Sequence, residues 1–220
     1  MPARVICLSH ATAAGGEAVG RLVAERLGFR YVDEQIITRA GELAQVSPAL
    51  VAATEKRQAL LERLVDKLAA AQEMIGPVAL GTLLPMGGAL GVPANVKAGA
   101  PDDLRTLIRA AIHEVAAQGQ AVIVAHAASM ALGSAEGVLR VLITASTATR
   151  ARRLVESEGK SQTEADALIA QFDRNRRDYF RRFYDIREEQ PTHYDLVVNT
   201  DAVTPEEAAE LVVFAARARA

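Results

Sequence analysis

Arg4-Val5-Ile6-Cys7-Leu8-Ser9 is a short, almost continuously apolar run bounded by small residues, the pattern of a strand buried on both faces. The turn Ala11-Thr12-Ala13-Ala14-Gly15-Gly16 follows it. Beyond the turn, Val19, Leu22, Val23 and Leu27 recur at intervals of three and four until Gly28 stops them. This order predicts a central strand, a tight turn and a helix beginning near Gly16. Small side chains in the turn let backbone N–H groups face an anion at the positive end of that helix, so a phosphate fits there. The turn lacks both the lysine and the metal-binding hydroxyl of the standard Gly-x4-Gly-Lys-Ser/Thr pattern. Read alone, it is equally an ordinary strand-to-helix connection.

Outward from this unit, Phe29 to Val32 reads as a second strand ending at Asp33, followed by helical spacing through Ile36, Ile37 and Leu43. Ser47 is expected to cap the next helix, with Pro48 at its first position. From Pro48 to about Met74, charged residues alternate with Leu, Ala and Val at helical spacing, and residues 75–101 then concentrate Gly and Pro beyond what a regular element tolerates. That segment reads as a loop or hinge. It is too apolar for a solvated linker and is expected to fold over a neighbouring cleft or a second copy of the chain. Asp102 or Asp103 is expected to cap a helix to about Ala117, and Ala121 to Ala125 and Val138 to Thr144 read as buried strands. Thr147 opens a helix to about Glu158, and Ser161 with Glu164 forms the Ser-x-x-Glu signature of the next. Tyr194 to Asn199 is the last strand, before a closing helix capped at Thr204-Pro205-Glu206-Glu207. Such alternation requires a mostly parallel five-stranded sheet with right-handed crossovers. We expect one domain over residues 1–220, with an inserted helical and Gly/Pro-rich lobe at about 47–101.

Composition narrows the classes. Half of the 220 residues are apolar, but only 4% are aromatic and Trp is absent, so an ordered core must be built from Ala, Val, Leu and Ile. With 25 basic and 27 acidic residues the balance is −2, which argues against a nucleic-acid-coating or polybasic membrane protein and favours small-molecule partners. The start of the chain has no signal-peptide pattern, and no apolar run is long enough to span a membrane, so a cytoplasmic protein is expected. Cys7 has no cysteine to pair with and is expected to fill core space. Histidines 10, 113, 126 and 193 show no metal-ligand spacing with it, so no protein-held metal is expected.

Ligands of open parallel sheets sit beyond the carboxyl ends of the strands. Besides the first turn, three segments converge there. Asp33 ends the second strand and is either a hydrogen-bond acceptor for a ligand or a helix cap. His126 follows the third strand, where a structural role is the alternative. The helix opened at Ser161 carries Asp173-Arg174-Asn175-Arg176-Arg177-Asp178-Tyr179-Phe180-Arg181-Arg182, with six arginines over residues 174–187 against two aspartates. Asp173, Arg176, Arg177 and Phe180 share one helical face, and Arg174, Asp178 and Arg181 another. Guanidiniums on such a face stabilise transferring phosphoryl oxygens; the alternative is a solvated helix with internal ion pairs.

Taken together these residues resemble the cytidylate kinase-like family, nucleoside monophosphate kinases with the phosphate-loop fold. The resemblance is carried by Leu8-Ser9-His10, Ala13-Ala14-Gly15-Gly16-Glu17, Val23 to Gly28, Tyr31-Val32-Asp33, Val122 to Ala128, Asp173 to Phe180 and Tyr194 to Thr200. It covers residues 4–46 and 102–215. It implies a three-layer α/β/α phosphate-loop fold, phosphoryl transfer from ATP with Mg²⁺, and a (d)CMP-type acceptor. On that reading Ala13, Ala14, Gly15, Gly16, Glu17 and Ala18 hold the ATP phosphates. Asp33, His126 and Asp173 meet the acceptor, and Arg174, Arg176 and Arg177 make the catalytic lid contacts. This chain departs from the family pattern where a loop glycine has become Ala13, an arginine Glu17 and a basic residue His126. Those changes keep open a catalytically degenerate nucleotide-binding or regulatory protein on the same fold.

Overall fold

The structure, a computed structural model, describes residues 2–33, 101–125 and 128–219. Expectations for the helices after Asp33, the Ser47 cap, the lobe at 47–100 and His126 lie outside the described residues. In chain order the elements are β1 (Val5–His10), α1 (Gly16–Leu27), β2 (Arg30–Asp33), α2 (Pro101–Gln118), β3 (Ala121–Val124), α3 (Ala128–Leu132), β4 (Val138–Thr144), α4 (Thr147–Glu158), α5 (Gln162–Tyr184), a 3-10 turn (Pro191–His193), β5 (Leu196–Asn199) and α6 (Pro205–Ala218). The chain divides into two compact units, Met1–Tyr31 with Gln120–Ala220, and Val32–Gly119. In the second, the described helix α2 buries Ala111, Ile112 and Val115 at helical spacing.

The sheet has the order β2-β3-β1-β4-β5. β1 pairs in parallel with β3 (Cys7 opposite Ile123) and with β4 (Leu8 opposite Val141), so the first strand lies at the centre. The apolar run explains that place: Val5 to Ser9 are all buried. Ile6 and Leu8 face the cluster built by Val19 and Val23 of α1 and by Val212 and Val213 of α6. Cys7 is fully buried, and its carbonyl accepts a hydrogen bond from the Ser129 hydroxyl of α3. Burial pushes the Cys7 thiol up to about 12, so it is inert core packing, as expected.

Local signals set most boundaries. Ser146 Oγ accepts the Thr149 N–H at the start of α4, and Ser161/Glu164 and Thr204/Glu207 form reciprocal capping boxes on α5 and α6. Three boundaries differ from expectation. β2 begins at Arg30 because Phe29 N–H is bonded to Ala24 O in the left-handed Gly28 stop of α1. α2 begins at Pro101, so Asp102 and Asp103 lie inside its first turn. β5 begins at Leu196 because Pro191–His193 makes a 3-10 turn, after which Asp195 pairs bidentately with Arg140 of β4 and also with Arg219. No described helix is long and apolar enough to cross a membrane.

Candidate functional site

β1 delivers Ser9 and His10 to the carboxyl end of the sheet centre, where the chain turns through residues 11–15 into α1. Ser9 is buried, and its hydroxyl donates to Ala125 O at the end of β3 (3.3 Å). Ala13 (φ 60°) and Gly15 (φ 83°) are both left-handed. For an alanine this conformation costs on the order of 1 kcal/mol; the turn's own Ala14 N–H donates to Ala11 O (3.0 Å), and side chains from outside it add further bonds. The first helical bond of α1 runs from Val19 N–H to Gly15 O, which leaves the amides of Gly16, Glu17 and Ala18 at the open, positive end of the helix. Gly16 is required by packing: a Cβ there would meet His10 Cβ at 2.3 Å. Glu17 is exposed in the first turn, where it suits the helix dipole and repels an approaching anion.

Two arginines grip this turn. Arg153 of α4 donates through Nη1 to Ala13 O (3.2 Å) and Thr200 Oγ1 (3.0 Å), and through Nη2 to Thr200 O (2.8 Å). Thr200, buried just beyond β5, donates its hydroxyl to Ala14 O (2.9 Å). Arg176 of α5 donates to His10 O (3.1 Å) and binds Glu189 bidentately, Nε to Oε2 at 2.8 Å and Nη2 to Oε1 at 2.7 Å. The Tyr194 hydroxyl donates to Glu189, and the Arg176 guanidinium lies over the Phe180 ring at 4.8 Å. Burial alone would raise the Glu189 carboxyl, but the Arg176 guanidinium outweighs it and holds the group below the usual carboxylate range. Burial and the nearby Glu189 charge together push the Tyr194 hydroxyl upward, so it stays a donor.

The protein-family model of the cytidylate kinase-like family matches residues 5–202. The chain belongs to that family. Among solved structures, it is similar to an uncharacterized protein from Eubacterium ventriosum ATCC 27560, with 12% identity, TM-score 0.59, and coverage of 98% of this chain and 99% of that one. It also matches a shikimate kinase from Bacteroides thetaiotaomicron (16% identity, 94% and 95% covered, TM-score 0.49) and a gluconokinase from Sinorhizobium meliloti 1021 (14%, 96% and 90%, TM-score 0.46). No curated protein matches its sequence. The fold shared with the first of these is a five-stranded parallel sheet with helices, an α/β arrangement in which the β1–α1 turn lies at the carboxyl end of the central strand.

Against the standard Gly-x4-Gly-Lys-Ser/Thr pattern, Glu17 and Ala18 stand where the loop has its lysine and its metal-binding hydroxyl. The left-handed backbone and the open amides of residues 16–18 fit phosphate oxygens. The donor set does not fit a magnesium ion held by the loop, and no group of three or more His, Cys, Asp or Glu that could hold a metal occurs among the described residues.

The expected arginines separate in the structure. Arg176 reaches the turn; Arg174 and Arg177 are exposed on α5. Asp173 binds Arg150 of α4 bidentately, at 2.9 and 2.7 Å, which locks α5 onto α4. Asp33 ends β2, half-buried. Sequence reasoning did not find Arg153, Thr200, Glu189 or Tyr194. The signal for the first two was Ala13 itself, because a loop glycine replaced by alanine asks for an outside support. Glu189 carries no local signal, as it lies past the end of α5 and meets Arg176 only in the folded chain.

Proposed function

We propose that this member of the cytidylate kinase-like family transfers a phosphoryl group from ATP to a (d)CMP-type nucleoside monophosphate. The reading is carried by the β1–α1 turn, which has a left-handed backbone at Ala13 and Gly15 and open amides at residues 16–18, although a glycine and an arginine of the family pattern are replaced in it. Those amides would hold the donor phosphates at the helix N-terminus. Magnesium accompanying the nucleotide would supply neutralisation of the β- and γ-oxygens. Arg174 and Arg177, exposed on α5, would provide guanidiniums to the transferring group, and Asp33 would meet the acceptor. Arg176 would act differently from its neighbours: fixed by Glu189 and His10 O, it would hold the strand end in place.

A second reading is favoured by Glu17 and by the Glu189 lock on Arg176, both of which lower the positive charge free to meet a triphosphate. In it the chain binds nucleotide without turning it over. A radiolabelled phosphate-transfer assay with ATP and Mg²⁺ across CMP, dCMP, UMP and AMP separates the two. The kinase reading expects turnover with CMP or dCMP that falls at least tenfold in Arg177→Ala at unchanged Tm. Absence of turnover with all four acceptors, with calorimetric ATP binding intact, selects the second reading.

A further inference from the structure

We propose that Arg153 and Thr200 are positioning residues that hold the β1–α1 turn in its phosphate-receiving shape, replacing with side-chain hydrogen bonds the conformational freedom that glycine would bring to position 13. The proposal rests on the reading of the turn as a phosphate cradle and deepens it. Thr200 is anchored to the sheet: its N–H donates to Thr144 O of β4 at 2.8 Å. From that anchor its hydroxyl takes Ala14 O at 2.9 Å, while Arg153, itself fixed on both oxygens of Thr200, takes Ala13 O at 3.2 Å. Two consecutive carbonyls of the turn are therefore turned toward the protein.

In a trans peptide the N–H points opposite to the C=O. Holding Ala14 O inward aims Gly15 N–H away from the Arg153 and Thr200 side, toward the hollow in front of α1. Holding Ala13 O fixes the rotation of the strained residue, whose φ of 60° an alanine would otherwise leave. The guanidinium also lies alongside Gly15, with Nη1 4.0 Å from where a Cβ would stand. The partners on the turn are neutral carbonyls, so the tether's hydrogen bonds bring a cation beside the cradle, while the exposed Asp201 carboxylate feels its charge without bonding to it. Both groups act on the backbone that would meet the anion, and their bonds are to the turn and the sheet.

The test uses the full chain and backbone NMR, with calorimetry of inorganic tripolyphosphate. The Ala13 Cα and Cβ shifts report the left-handed conformation, and amide order parameters over residues 13–16 report rigidity. Thr200→Val and Arg153→Met are each expected to move the Ala13 shifts away from the left-handed range and to lower these order parameters from about 0.85 to below about 0.6, with β1 and β4 unchanged. Tripolyphosphate binding weakens roughly tenfold in both, a change of about 1.4 kcal/mol. Thr200→Ser, which keeps the hydroxyl, retains the wild-type signals. Adding Ala13→Gly to Arg153→Met recovers more than half of the lost binding, which a general fold defect would not allow.

Turn signals unchanged in both variants overturn the proposal, as does a loss of order spread through β1 and β4 that Ala13→Gly fails to recover. If the wild type binds no tripolyphosphate while the turn loosens in both variants as described, the positioning role stands and the nucleotide reading falls.

Discussion

Arg153 of α4 and Arg176 of α5 both donate to carbonyls at the β1–α1 turn, yet one is satisfied by neutral groups and the other by a carboxylate. Arg153 is held by Ala13 O and the two oxygens of Thr200, and no acid cancels its charge within these bonds. Arg176 is held by both oxygens of Glu189 and by His10 O, with Tyr194 donating to the same carboxylate. The first grip shapes the turn and leaves a cation beside it. The second fixes the end of β1 and spends its charge inside the protein. Two arginines that look alike in a basic sequence thus differ in what they offer an anion.

The largest effect is expected from breaking the second grip. Glu189→Ala leaves the Arg176 guanidinium without its carboxylate in a largely buried place and is expected to cost about 3 kcal/mol of stability, read by urea unfolding. The same pair sets a pH signature. Because Glu189 is held below the ordinary carboxylate range in the folded protein, its contribution is complete above the unfolded value of about 4.3 and is lost as pH falls through the lower folded value. Unfolding free energies measured as pH falls from about 4.3 into stronger acid should therefore drop more steeply in the wild type than in Glu189→Gln. The neutral grip contributes no such slope, so Thr200→Val should keep the wild-type acid profile.

Gly16→Ala tests the floor on which both grips rest. The new Cβ would overlap His10 Cβ, an atom next to the backbone that cannot swing aside, and we expect a loss of about 2 kcal/mol together with weaker ATP binding by calorimetry. Ala13→Gly gives the smallest effect. Relief of left-handed strain is offset by the greater freedom of glycine in the unfolded chain, leaving a net change within about 1 kcal/mol in thermal or urea unfolding.

What could be read beforehand follows from how local each signal is. β4 and α4 have the expected limits because their apolar runs, the Ser146 cap and the Gly159 stop lie within a few residues of the ends they define. β5 begins two residues later than the run from Tyr194 suggests, because Tyr194 and Asp195 serve other contacts, to Glu189 and to Arg140. The small residues of the turn read equally as an anion site and as an ordinary strand-to-helix connection. Its supports were not legible, since Arg153 and Thr200 come from elements far along the chain, and nothing in a run such as Arg152-Arg153 says which arginine turns inward. The basic helix posed the same problem: the helical face shared by Arg176 and Arg177 is visible in the spacing, but the largely buried pairing of one follows from Glu189, which the spacing does not show.

The pairing of Asp173 with Arg150 and of Arg176 with Glu189 fastens the middle of α5 at two successive turns. A rod clamped there cannot swing as a whole without parting two bidentate ion pairs. On the proposed function, Arg174 and Arg177 would then have to reach a phosphoryl group by rotation of their own side chains, a picosecond-to-nanosecond event for exposed residues, whereas collective element motions take microseconds to milliseconds. The rate of engagement at this end of the site would accordingly be set by single side chains and not by the travel of a helix.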